Sequence, residues 1–151
     1  SSTPIGIPGT TVAPGASMSA TPAPQPTQAG SGDVTLIYDA RSLTVFNSTG
    51  RAIDVTGLLL EQGALRLMAS QWQTPWLSGT LTAFAAGDCL QVSSSEGGEP
   101  PAPGDCRFVR SAILIPASDR LWLGAPFNVT RNGVRLATCP PAPGRCSFAL
   151  R

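Results

Sequence analysis

An all-β fold, with two antiparallel sheets stacked as a sandwich behind an extended Pro/Ser/Thr-rich segment, is what this sequence predicts. Three observations carry that prediction. From Asp33 onward, short apolar stretches alternate with polar residues at the two-residue period of a strand. Gly, Pro, Asn or Asp stands at nearly every break between them, and no window sustains a helical apolar period over three turns. The 151 residues include 16 Gly and 15 Pro, with 42% apolar and only 13% charged residues, a profile that suits one domain with a long appendage.

Residues 1–32 hold six Pro, five Gly, ten Ser or Thr, five Ala and no charge. Such a segment cannot bury enough apolar surface to offset the entropy of ordering it. The spacing in Thr21-Pro22-Ala23-Pro24-Gln25-Pro26 favours an extended polyproline-type spacer, and the hydroxyls suit O-glycosylation. A stalk or linker is therefore expected, with an arm ordered against a neighbouring subunit as the alternative. Residues 33–151 form the body. Its first strand is expected where Val34, Leu36 and Tyr38 alternate with Thr35, Ile37 and Asp39. Further strands are expected at 43–47, 53–60, 64–68, 79–84, 89–93, 106–115, 127–131, 134–139 and 146–150. The hairpin over 127–138 is the clearest, because Asn132-Gly133 tolerates the positive backbone angles of a type I′ turn, which points Phe127 and Val129 to one face. Leu58-Leu59-Leu60 is too apolar for a strand wet on one side unless a loop or the stalk covers it.

The residue types that are missing exclude whole chemistries. The chain has no His and no Lys, which removes the usual general base near neutral pH and the usual amine nucleophile. Paired carboxylates are what remains for catalysis, drawn from Asp33, Asp39, Asp54, Glu61, Asp88, Glu96, Glu99, Asp105 and Asp119. No pair among them lies in an evident apolar pocket that would raise one pKa, so the chain is not expected to be an enzyme. No Asp-x-Asp-x-Asp run exists for calcium, and neither a metal nor a cofactor is expected. Ten Arg against nine acids give a net charge of +1 without a basic cluster, so nucleic acid is not an expected partner. No apolar run approaches the length that crosses a bilayer, and membrane contact is expected only through an anchor outside this chain.

Cys89, Cys106, Cys139 and Cys146 allow three pairings. Intervals of sixteen and six residues, with no C-x-x-C element and no His, disfavour zinc. Local pairing, Cys89 with Cys106 and Cys139 with Cys146, is favoured because each pair brackets a Pro/Gly loop that would otherwise fray. The two loops even share a sequence, Pro100-Pro101-Ala102-Pro103-Gly104 and Pro140-Pro141-Ala142-Pro143-Gly144. Disulfides imply an oxidising compartment, hence an extracellular or cell-surface location. Asn47-Ser48-Thr49 and Asn128-Val129-Thr130 fit the N-glycosylation pattern but are set aside, since such short matches arise by chance and the second falls inside an expected strand.

Within residues 42–92, Leu43-Thr44-Val45-Phe46-Asn47 is followed by the turn Ser48-Thr49-Gly50-Arg51 and then Ile53-Asp54-Val55-Thr56-Gly57-Leu58. Asn47 can accept backbone hydrogens across its turn, Asp54 and Thr56 can do the same one strand later, and Gly57 permits a bend. This pattern, with the later turn and strand Phe84-Ala85-Ala86-Gly87-Asp88-Cys89-Leu90-Gln91-Val92, resembles the lamin-tail-like domain. It departs from that family at Thr44, where an acidic residue is usual, and at Leu58, where a Trp is common. The resemblance implies an immunoglobulin-like β-sandwich, often an accessory module of bacterial extracellular proteins, with no catalytic centre.

Three tryptophans are the candidate ligand platform. Trp72 and Trp76 lie in the polar stretch Ser70-Gln71-Trp72-Gln73-Thr74-Pro75-Trp76, and Trp122 lies between Leu121 and Leu123. Exposed ring faces stack on the apolar faces of sugars, whereas Trp rings elsewhere close the ends of sandwiches. The expected function is a non-catalytic extracellular or cell-surface module acting in interaction or sensing, with a protein or glycan partner. The alternatives are a subunit of an extracellular assembly, a homo-oligomer formed through residues 1–32, and a carbohydrate-binding module.

Overall fold

The computed structural model describes residues 32–95 and 100–150. The expected stalk over 1–32 and the oligomer contact assigned to it, Gly32 excepted, lie outside the described residues, as do Glu96 and Glu99. The described residues contain no α-helix and form two sheets around one core. In chain order the strands are β1 (Val34–Tyr38), β2 (Ser42–Asn47), β3 (Leu58–Gln62), β4 (Leu65–Met68), β5 (Asp88–Ser94), β6 (Phe108–Ile115), β7 (Phe127–Arg131), β8 (Val134–Cys139) and β9 (Gly144–Phe148). One sheet runs β6-β5-β2-β1-β9 and the other β4-β3-β7-β8.

Alternation makes the core. Val34, Leu36 and Tyr38 of β1, Leu43 and Val45 of β2, and Leu90 and Val92 of β5 face Leu58 and Leu60 of β3 and Phe127 and Val129 of β7. The rings of Tyr38 and Phe127 meet edge to face at 5.3 Å, which ties one sheet to the other. Leu58 and Leu60 are buried and Leu59 is half-buried on the opposite face, so the apolar triplet needs no thick cover. The β7–β8 hairpin turns at Asn132 (φ 52°) and Gly133 (φ 82°), both left-handed, as a type I′ turn requires.

Two expectations need correction. The sheets are not wholly antiparallel, because β5 and β6 pair in parallel, with the register shifting between Cys89 and Leu90. A parallel pair needs a crossover of about a dozen residues, and the span between Ser94 and Phe108 provides one. The strand expected at 79–84 is instead a loop that touches residues 53–55. Ile53 and Phe84 exchange backbone hydrogen bonds at 3.0 and 2.8 Å, and the Val55 N–H donates to the Leu81 carbonyl at 3.0 Å. The expected strand at 53–60 breaks because Asp54 Oδ1 accepts from the Thr56 N–H at 2.9 Å and Gly57 takes φ +83° before β3 begins.

The outer face of the five-stranded sheet is covered as well. Thr44, Cys89, Gln91 and Ser93 point away from the core yet are buried, as is Pro100. The crossover is fastened over them at three points. Cys89 is bonded to Cys106, the Gln91 side-chain amide donates to the Pro101 carbonyl at 3.4 Å, and Arg145 of β9 pairs with Asp105 at 2.9 Å. That ion pair joins the two copies of Pro-Pro-Ala-Pro-Gly noted in the sequence. Cys139 pairs with Cys146, linking β8 of one sheet to β9 of the other.

Candidate functional site

Of the three tryptophans, two are structural. Trp72 ends a short 3-10 helix, Ala69–Trp72, that crosses from β4, an edge of one sheet, to β6, an edge of the other. Its ring is buried, its indole N–H donates to the Gln91 carbonyl at 2.8 Å, and its carbonyl accepts from the Ser111 hydroxyl at 3.1 Å. Trp122 is also buried; its indole N–H donates to the Asp39 carbonyl at 2.8 Å and its carbonyl accepts from the Ala142 N–H. Rings enclosed in this way close the sandwich, so Trp72 and Trp122 leave the platform expected from sequence.

Trp76 is different, being 75% exposed. The Leu77 N–H donates to the Thr74 carbonyl at 3.1 Å, closing a turn whose second residue is Pro75, a position that proline's fixed φ favours. The turn carries the indole outward. The Ser78 N–H then donates to the Arg110 carbonyl at 2.9 Å, which holds this loop against β6. Trp76, Gln71, Ala112, Ile113 and Leu114 line an open, shallow groove of about 510 Å³ with no charged residue on its walls. Gln71 is oriented there by its side-chain oxygen, which accepts from the Met68 N–H at 2.9 Å.

The floor of the groove is the β6 edge of the five-stranded sheet, which no strand of the described residues extends. The Ile115 carbonyl accepts from the Ser95 N–H, so the backbone groups of Ile115, Ile113 and Ser111 face β5. Alternation then turns the N–H and C=O groups of Ala112 and Leu114 away from the sheet. Among the described residues nothing pairs with them. Leu114 is 64% exposed and Phe108, further along β6, is 48% exposed. The Arg110 guanidinium lies 4.5 Å from the centre of the Phe108 ring and is also bonded to Asp88.

Several of the remaining candidates are engaged in the frame. Asp88, wholly buried at the start of β5, is paired with Arg107 at 2.9 Å and with Arg110. Asp39 accepts from the Arg41 and Ser42 N–H groups, and Asp33 accepts from the Leu150 N–H. Hydrogen bonds from the Thr56 side chain and backbone hold the Asp54 carboxyl below the ordinary carboxylate range, with Arg131 adding to the effect. Asn47 is buried; its oxygen accepts from the Thr49 N–H and its amide donates to the Arg51 and Phe84 carbonyls. Among the described residues no three His, Cys, Asp or Glu side chains form a metal-holding group. Sequence reasoning did not place β6 in the site. The signal was present in Ala112 and Leu114, whose apolar side chains sit out of phase with buried Ser111 and Ile115. No family model, curated protein or solved structure matches this chain.

Proposed function

We propose that this chain is a non-catalytic, immunoglobulin-like interaction module of an extracellular or cell-surface protein, and that its partner binds along the open edge of β6 beside Trp76. The observation that carries this reading is the pairing of an exposed indole with a sheet edge that no strand of the described residues extends. An extended peptide laid along β6 gains main-chain hydrogen bonds from Ala112 and Leu114, and a side chain can pack on Trp76. Two disulfides and the absence of free cysteines support an oxidising compartment. The resemblance of residues 42–92 to lamin-tail-like domains supports the immunoglobulin-like topology and a bacterial accessory role.

A screen of extended peptides and of glycans against the full chain and its Trp76→Ala variant tests this. Because Trp76 is exposed, the substitution should leave melting unchanged while weakening the bound partner at least about tenfold, as expected for an aromatic anchor. Peptide hits establish the edge reading. Glycan hits sensitive to the same substitution replace it with a sugar-stacking site, and hits unaffected by it remove Trp76 from the function.

A further inference from the structure

Only a short stretch of the β6 edge is open. At one end the Arg110 carbonyl accepts from the Ser78 N–H at 2.9 Å, so the loop before β5 closes it. At the other stands Pro116, which has no N–H and whose carbonyl accepts from the Asp119 N–H at 2.9 Å. Between these stops the outward backbone groups belong to Ala112 and Leu114, and among the described residues nothing pairs with them. The two residues are placed evenly about Ile113. From Ala112 to Ile115 the strand carries neither Pro nor Lys, and Trp76 and Leu114 stand exposed beside it. An edge of this kind invites a strand from another chain.

We propose that this strand is β6 of a second copy of the chain, added antiparallel across a two-fold axis at Ile113, which makes the protein a reversible homodimer. The inference rests on the reading of this edge as a binding site and names its partner. A two-fold axis there sets Ala112 opposite the second copy's Leu114, and Leu114 opposite its Ala112. Residues opposed in this way exchange both N–H···O=C bonds, so the two pairs use every backbone group left open between the stops. Arg110, whose carbonyl is taken, then lies opposite Pro116, which has no hydrogen to give. Neighbouring registers fail. Centring the axis on Ala112 sets Leu114 opposite Arg110, and centring it on Leu114 sets Ala112 opposite Pro116, so each leaves open groups without partners. The edge is complementary to itself in one register.

Side chains fit the same operation. The pairing with β5 places Ala112 beside Gln91 and Leu114 beside Ser93, on the outer face, so exposed Leu114 lies across from the smaller Ala112 of the other copy, once on each side of the axis. On the opposite face Ile113, beside Val92, meets its own counterpart at a non-hydrogen-bonded pair, where side chains come closest. Trp76 of each copy adjoins this ladder. Charge does not oppose the contact. The groove walls are uncharged, and Arg110, the one charged residue of β6, is already paired with Asp88. Trp76 and Leu114 together expose roughly 300 Å² per copy, about 600 Å² for two. With the ladder and the groove walls added, the interface approaches the lower bound of about 1,200 Å² for stable association, where complexes form and part with concentration. One patch facing itself is the isologous contact of two-fold dimers, the commonest closed oligomers.

Sedimentation of the full chain at concentrations up to about 1 mM tests this against Trp76→Ala and Leu114→Lys, both at exposed positions. The parent should pass reversibly from monomer to dimer. Each variant should dimerise at least about tenfold more weakly, with melting of the dilute protein unchanged. In a sample that mixes differently labelled molecules, nuclear Overhauser contacts should join Ala112 of one copy to Leu114 of the other, and amide exchange at both residues should slow as concentration rises. A chain that stays monomeric at about 1 mM overturns the inference. So does a dimer that neither substitution weakens, or one whose contacts fall on another edge. If such a chain still binds peptides through Trp76, the proposed function stands without the dimer. A dimer with the expected contacts and no peptide or glycan ligand keeps the inference and removes an outside partner from this edge.

Discussion

Tyr38 is the chain's one tyrosine, and burial pushes its phenol up to about 12. Its hydroxyl donates to the Pro140 carbonyl at 2.6 Å. In the unfolded chain the same group ionises near about 10. The folded protein therefore keeps a proton that the unfolded chain gives up. Stability is intact below about pH 10 and falls by about 2–3 kcal/mol as pH rises to about 12. The chain has no Lys and no free thiol to obscure the change. Urea unfolding at stepped alkaline pH should show this loss, and Tyr38→Phe should flatten it at a cost of about 1 kcal/mol near neutrality for the missing hydrogen bond. Asp88 is the other residue on which much depends. Asp88→Asn keeps the shape but removes the buried charge between Arg107 and Arg110. Urea unfolding at neutral pH should find it less stable by about 3 kcal/mol, the lower part of the range for a broken buried pair because Arg107 is mostly exposed.

Elements defined by local chemistry were legible in the sequence. β7 and β8 run Phe127–Arg131 and Val134–Cys139, as expected, because Asn132-Gly133 sets the turn and the pairs next to it, with a one-residue register shift between Val129 and Thr130 further along. Asn132→Val places a β-branched side chain at φ 52° and should cost about 1–2 kcal/mol in thermal or urea unfolding, leaving the fold unchanged by circular dichroism. β6 was legible as a strand but not in its direction. The clue lay in the cysteines. Cys89 opens β5 and Cys106 precedes β6, and consecutive strands can bring their starting ends together only when they are parallel. The local pairing and an antiparallel β5–β6 arrangement were therefore incompatible expectations. The loop over 79–84 was misread because its alternation resembles a strand, whereas its backbone bonds residues 53–55, the Asn47 amide and the Thr80 hydroxyl instead of a full strand partner.

At the scale of the whole molecule, two disulfides hold the architecture. One fastens the crossover at the five-stranded sheet and the other joins the sheets at β8 and β9. Loop entropy assigns each about 2–3 kcal/mol, together about 5 kcal/mol, against the 5–15 kcal/mol typical of a domain. Reduction should therefore remove much of the thermal stability. Melting by circular dichroism with and without a thiol reductant checks it, and an unchanged midpoint would deny the bridges that role. Composition, spacing and nearest neighbours were enough to read the strand-forming body, the I′ hairpin and the loss of His- and Lys-based chemistry, and to favour the local cysteine pairing that the structure shows. The parallel pairing of β5 with β6, the enclosure of Trp72 and Trp122 but not Trp76, and the place of β6 at the end of a sheet emerged with the fold. Strand order and ring burial are set by contacts between residues far apart in the chain, which no local pattern of side chains encodes.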